Sequence, residues 1–148
     1  MMFTPVAYAA EIRQEQPTEF LVTFPDVPEA ITQGSTLNEA CANAYDALAA
    51  AIEGYLEIGR ELPAARFEAR PMAETGPWSV DVAVEPKLAA RSRLVGAMKA
   101  GGVNNVRLAQ LMGRDEKSVR LILSGRGASL EKTLEALHAL GFRPALAV

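Results

Sequence analysis

The repeat of the chain changes at Pro86, and that change restricts the architectures open to it. Before Pro86, short runs read as strands: Pro5 to Ile12, Phe20 to Phe24, Ala30 to Gln33 and Ser79 to Val84. Polar or Pro-bearing stretches, Gln14 to Thr18 and Pro25 to Glu29 among them, separate these runs. From Lys87 to Leu140 only helical spacings recur, broken at Gly101-Gly102, Gly113 and Gly125 to Gly127. Pro86 suits the first turn of a helix, where its missing N–H is not needed. Charge obeys the same boundary. Residues 1–85 hold four Arg against fourteen Asp and Glu, a net −10, whereas residues 86–148 hold eleven bases against four acids, a net +7. The overall −3 therefore conceals one half that repels polyanions and one that attracts them.

The acidic half is predicted to be a β-β-β-α-β layer. Thr36 follows Gly34-Ser35 and stands three residues before Glu39, the spacing at which a hydroxyl and a carboxylate cap a helix start reciprocally. Leu37, Ala40, Cys41, Ala44, Leu48, Ala51, Ile52, Tyr55 and Leu56 then form one apolar stripe, and Gly59 and Pro63 end the helix. Seven alanines between Ala40 and Ala51 let it lie close to the strands. Val80, Val82 and Val84 alternate in the returning strand. No catalytic residue is predicted. The only histidine, His138, lies in the other half, and Cys41 sits on the apolar stripe as a core residue. Glu11, Asp26 and Glu53 are the trio a divalent metal would need, but no metal or cofactor is expected.

The basic half is predicted to be all-α. Two short helices from Asn104 to Leu123 are separated by about three residues containing Gly113, which resembles a repressor-type helix-turn-helix. Ala109 is small where the helices cross, Gly113 permits the positive φ of the turn, and Val119 with Ile122 fill the angle. Asp115 is the expected cap of the second helix. Glu116, Lys117 and Arg120 then face outward toward base edges, and Asn105, Arg107 and Arg126 toward phosphates. The resemblance continues through Gly125-Arg126 to a supporting helix over Ser129 to Leu140. Arg114 departs from it by replacing a usual apolar residue, and Leu121 by replacing a polar or basic one. The same spacing also fits a helical knot that only packs.

Phe20 to Phe24 with Pro25-Asp26, Gly34 before the capped helix, Glu39-Ala40 and Leu62-Pro63 after it form an ordered set that resembles the HicB antitoxin family. Some members carry a C-terminal helix-turn-helix, so the resemblance covers both halves. It implies a partial ribonuclease-H-like layer without cleavage at residues 1–85. That layer binds and occludes a small basic HicA-like toxin, an mRNA-cleaving ribonuclease. It further implies that residues 86–148 bind operator DNA and repress the chain's own operon. The apolar tail Gly141 to Val148 is expected to pair between copies, giving a homodimer or higher even oligomer. With one Cys, no charged-then-apolar leader and no membrane-length apolar run, the chain is expected to be cytoplasmic. Two rivals stay open: a ligand-sensing transcription regulator with a pocket between helix and sheet, and a metal-dependent nuclease.

Overall fold

Among the described residues nine elements follow one another as β1 (Ala7–Gln16), β2 (Glu19–Thr23), β3 (Ile31–Gly34), α1 (Leu37–Glu57), β4 (Trp78–Ala83), α2 (Pro86–Gly101), α3 (Asn105–Met112), α4 (Glu116–Ser124) and α5 (Leu130–Ala139). The structure, a computed structural model, describes residues 7–70, 74–126 and 129–142. The chain divides into two compact units between Glu85 and Pro86. The fold is mixed α+β, a four-stranded antiparallel sheet and five helices among the described residues.

In the first unit the sheet order is β3-β2-β1-β4, with every neighbouring pair antiparallel. Ile12 stands opposite Val22 on one side and Trp78 on the other, and Tyr8 stands opposite Val82. Along β1 Tyr8, Ala10 and Ile12 are buried at every second position, as the pleat requires of one packed face, and Ala9 between them is buried too. Ala40, Ala44, Leu48 and Ile52 of α1 are fully buried, so the helix meets the sheet along the predicted stripe. Cys41 is half-buried on the flank of that stripe, a correction to its expected core position. A second correction concerns β1, which continues through Gln16 where a connection was expected. Gln14 pairs with Phe20 and Gln16 with Glu19 across the turn, with a register shift between them. Ladder hydrogen bonds need no apolar side chain, so polarity alone did not end the strand. Pro5 and Val6, also expected in this strand, lie outside the described residues.

Thr36 caps α1 as the sequence predicts, while Glu39 reaches back to the Ser35 N–H rather than to that of the cap residue itself. Thr36 Oγ1 accepts the Glu39 N–H at 3.1 Å, and Glu39 Oε1 accepts the Ser35 N–H at 3.4 Å. Gly34 is buried there because a Cβ at this position would lie 2.8 Å from Ala40 Cα and 2.9 Å from the Glu39 carbonyl carbon.

The second unit packs α2 to α5 around Leu94, Met98, Leu108, Ala109, Val119, Ile122, Ala136 and Leu137. α5 ends with the Phe142 N–H donating to Leu137 O at 3.0 Å and the Gly141 N–H to His138 O at 2.9 Å, the paired bonds of a Schellman stop. Phe142 packs against the core, and the Arg93 guanidinium lies 5.1 Å from its ring centroid. The tail from 143 to 148, expected to pair between copies, lies outside the described residues. Among the described residues no helix is long and apolar enough to cross a membrane.

The crowding at Gly34 gives a direct test. Gly34→Ala must push the first turn of α1 off β3, and overpacking of this kind destabilises by about 1–3 kcal/mol. Chemical denaturation of the full chain checks this: the midpoint of the transition that includes the first unit should fall.

Candidate nucleic-acid interface and candidate partner surface

α3 and α4 are joined by Gly113-Arg114-Asp115. Gly113 is left-handed, at φ 66° and ψ 31°, a conformation that favours glycine. The Arg114 N–H closes α3 by donating to Ala109 O at 3.0 Å. Asp115 Oδ1 accepts the Ser118 N–H at 2.8 Å and starts α4. The Ser118 side chain, then its amide, hold the Asp115 carboxyl below the usual carboxylate range. Leu108, Ala109, Val119 and Ile122 are buried together, so the two helices share one core and turn their remaining faces outward.

Of the six residues proposed from the sequence to meet DNA, Arg107, Glu116, Lys117, Arg120 and Arg126 are exposed. Asn105 is half-buried, and the cap of α3 is Asn104, whose Oδ1 accepts the Arg107 N–H at 2.8 Å. Arg107 Nη1 donates to Gln110 Oε1 at 3.4 Å. Glu116 and Arg120 are one turn apart and form an ion pair at 3.6 Å. Lys117 lies beside them on the same face.

Two basic residues serve the unit itself, which sequence reasoning missed. Arg114 Nη2 donates to both carboxylate oxygens of Glu135 on α5, at 3.1 and 3.0 Å, so the departure from an apolar residue is answered by an ion pair. Arg91 is buried, and its Nη1 donates to Ser124 O at the end of α4, where a cation complements the helix dipole. Gly125 follows because a Cβ there would run into that same nitrogen. The glycine after Ser124 was the available signal, but nothing local marked Arg91 as its neighbour.

In the acidic unit, residues 60–70 form a strap without regular structure, tied down at successive points. The Tyr8 hydroxyl donates to Pro63 O at 2.6 Å. Asp26 Oδ2 accepts the N–H groups of both Arg66 and Phe67, at 2.8 and 2.9 Å. The Arg70 N–H donates to Ser79 Oγ at 3.1 Å, and its guanidinium meets Glu11 at 3.2 Å. The Asp of the Phe-Pro-Asp sequence thus anchors a segment about forty residues further on. At the C-terminal end of α1, the Tyr55 hydroxyl donates to Glu29 Oε2, Arg60 pairs with Glu29 at 3.5 Å, and the Arg60 guanidinium lies over the Tyr55 ring at 4.9 Å. Burial first, then the charge of Asp26, raise the Tyr8 hydroxyl well above the ordinary tyrosine range.

Of Glu11, Asp26 and Glu53, weighed as a possible metal trio, the first two are put to other uses. Asp26 is engaged by the strap and Glu11 by Arg70 and Arg13, and among the described residues no group of three His, Cys, Asp or Glu could hold a metal ion. A cleft lined by Arg13, Gln14, Glu15 and Thr75 to Trp78 lies at the far end of β1, away from the close-packed seam between α1 and the sheet. The pocket that a ligand-sensing regulator needs there gains no support.

The family model described as the HicB_like antitoxin of bacterial toxin-antitoxin system matches residues 7–84, the whole of this strap-bearing layer. Antitoxin HicB 2 of Photorhabdus laumondii is 34% identical over 125 residues, 84% of this chain and 84% of its own length. Antitoxin HicB 1 of the same organism is 30% identical over 131 residues, covering 87% and 78%. The crystal structure of the Burkholderia pseudomallei antitoxin HicB aligns with 84% of this chain and all of its own at 16% identity, with a TM-score of 0.47. The chain belongs to the HicB-like antitoxin family of bacterial toxin-antitoxin systems.

The Tyr55 cluster predicts a pH dependence on both sides of neutrality. Burial first, then the bond to Glu29, push the Tyr55 hydroxyl from 10.0 up to about 12. The folded state therefore holds that proton more tightly, and the stability it contributes is whole below pH 10 and lost as pH rises through 12. Glu29 is held below its ordinary value, first by the Tyr55 hydroxyl, so its contribution is present at neutral pH and lost as pH falls through the folded value. Tyr55→Phe removes both. Unfolding free energies measured by denaturant titration across pH should fall less steeply in the variant at each extreme.

Proposed function

We propose that this antitoxin works by binding at two separate faces. Residues 1–85, as a partial ribonuclease-H-like layer that cleaves nothing, bind and neutralise a HicA-like mRNA-cleaving toxin. Residues 86–148 bind operator DNA through a helix-turn-helix formed by α3 and α4, as a homodimer or higher even oligomer, and repress the chain's own operon in the cytoplasm. The observation that carries this reading is the reversal of charge at Pro86, from −10 to +7, within a chain of antitoxin family. A ribonuclease that grips RNA presents cations, and carboxylates placed where phosphates would lie attract it. A basic helical unit whose second helix is capped, short and turned outward at Glu116, Lys117 and Arg120 suits a major groove.

Two substitutions in the full chain separate the faces. Lys117→Ala with Arg120→Ala removes two base-reaching side chains, each bidentate contact being worth about 1–3 kcal/mol of discrimination. Operator affinity should fall by orders of magnitude, since a dimer loses both contacts twice. Stability should change by about 0.5 kcal/mol or less per site, because both side chains are exposed. Inhibition of RNA cleavage by the co-purified toxin should be unchanged. Arg107→Ala and Arg126→Ala should instead weaken specific and non-specific DNA binding alike and flatten the salt dependence. A folded double variant with full operator affinity and sequence preference would overturn the DNA assignment, and a wild-type chain that leaves the toxin active would overturn the other. Light scattering of the purified chain at micromolar concentration should give at least a dimer.

A further inference from the structure

The outward face of α4 carries one residue that its charge does not explain. α4 turns Val119 and Ile122 into the core at 0% and 2% exposure, while Leu121 stands 45% exposed. Leu121 is the one large apolar residue of α4 among those most exposed in the described chain. It lies one turn after Lys117 and beside Arg120 along α4, so two exposed cations flank the apolar spot. That setting disfavours two occupants. A second copy of this chain would bring the same cations against themselves, and a hydrophobic protein partner would have to desolvate Lys117 and Arg120. A polyanion with apolar groups set among its acceptors matches it, and the major groove of DNA offers that at each thymine, whose C5-methyl projects between base-edge acceptors.

We infer that Leu121 is a specificity-determining residue that reads the C5-methyl of a thymine in each half-site, while Lys117 and Arg120 supply the flanking polar contacts. This rests on the DNA-binding reading above. The Glu116–Arg120 pair at 3.6 Å fits the assignment, because it draws the Arg120 guanidinium back along the helix toward Glu116, on the side away from the C-terminal turn of α4. Leu121 then stands on the exposed face one turn beyond Lys117, clear of that ion pair.

Replacing thymine by deoxyuridine removes the methyl and leaves every hydrogen-bonding group in place, so it isolates the contact. The probe is the duplex that the wild-type full chain selects from a randomised pool, resynthesised with each thymine in turn changed to deoxyuridine. Wild type should bind about fourfold more weakly for each read methyl removed, the loss of one buried methyl-sized group. Leu121→Ala should bind the thymine duplex more weakly by at least that factor and should not distinguish thymine from deoxyuridine at that position. Leu121→Met, which keeps an apolar side chain of similar volume, should restore the distinction. A wild-type chain that binds the selected duplex with sequence preference yet tolerates every deoxyuridine would overturn the inference and leave DNA binding standing. So would a Leu121→Ala variant that still discriminates, or one whose defect is loss of the oligomer by light scattering. Failure to select any duplex would overturn the DNA-binding reading itself.

Discussion

The close approach of α1 to β3 at Gly34 is the constraint on which the first unit depends. A helix can begin almost against the backbone of an edge strand only if the strand residue has no side chain and the helix residue over it has a small one. Gly34 and Ala40 meet both conditions. The bonds of Glu39 to Thr36 Oγ1 and to the Ser35 N–H fix the direction in which the helix leaves, and Asn43 Nδ2 then donates to Gln33 O at 2.8 Å, tying the second turn back to the strand. Ala44, Leu48 and Ile52 follow along the same line, each fully buried, so the seam tightens first and widens toward Tyr55. Phe20 and Trp78, with ring centroids 5.9 Å apart, fill part of the layer where larger side chains are needed.

What the helix and sheet leave open, the strap closes by polar bonds. Residues 60–70 bury little of their own, yet Tyr8, Asp26 and Ser79 each supply a partner for their backbone. A segment without ladder or helix must satisfy its N–H and C=O groups some other way, and side chains of the sheet do it here. This gives the Phe-Pro-Asp sequence a physical meaning. Phe24 is buried in the layer, Pro25 ends the strand, and Asp26 receives two amides from a distant segment. Loss of that carboxylate would release the strap at its midpoint without touching the apolar core.

In the basic unit the charges divide by task. Arg91 and Arg114 are committed to Ser124 and Glu135, where they hold α4 and α5 in place. Arg93 covers the Phe142 ring. The bases turned outward on α3, α4 and the residue after Gly125 are Arg107, Lys117, Arg120 and Arg126. A net +7 therefore overstates what the outer face presents. It also clarifies why Arg114, which breaks the apolar pattern of the turn, does no harm: one nitrogen of its guanidinium meets both oxygens of the Glu135 carboxylate.

The sequence was most legible where one short window carries both halves of an interaction. Thr36 with Glu39, Gly113 with Asp115, and the period of β1 and α1 are all of this kind, and the boundary at Pro86 is their sum. It was least legible where partners lie far apart. Asp26 meets residues 40 and 41 positions away, Arg114 meets Glu135 across 21, and Arg91 meets Ser124 across 33. Before folding, nothing distinguishes such an Asp or Arg from a solvated one, because its type is polar either way and its pattern is set by a partner on another element. Leu121 has the residue type of a core position, yet the helix-turn-helix spacing already sets Val119 and Ile122 inward and leaves Leu121 where a polar or basic residue is usual, and the structure exposes it. Residues whose type disagrees with their environment are thus the ones a sequence cannot assign from residue type alone.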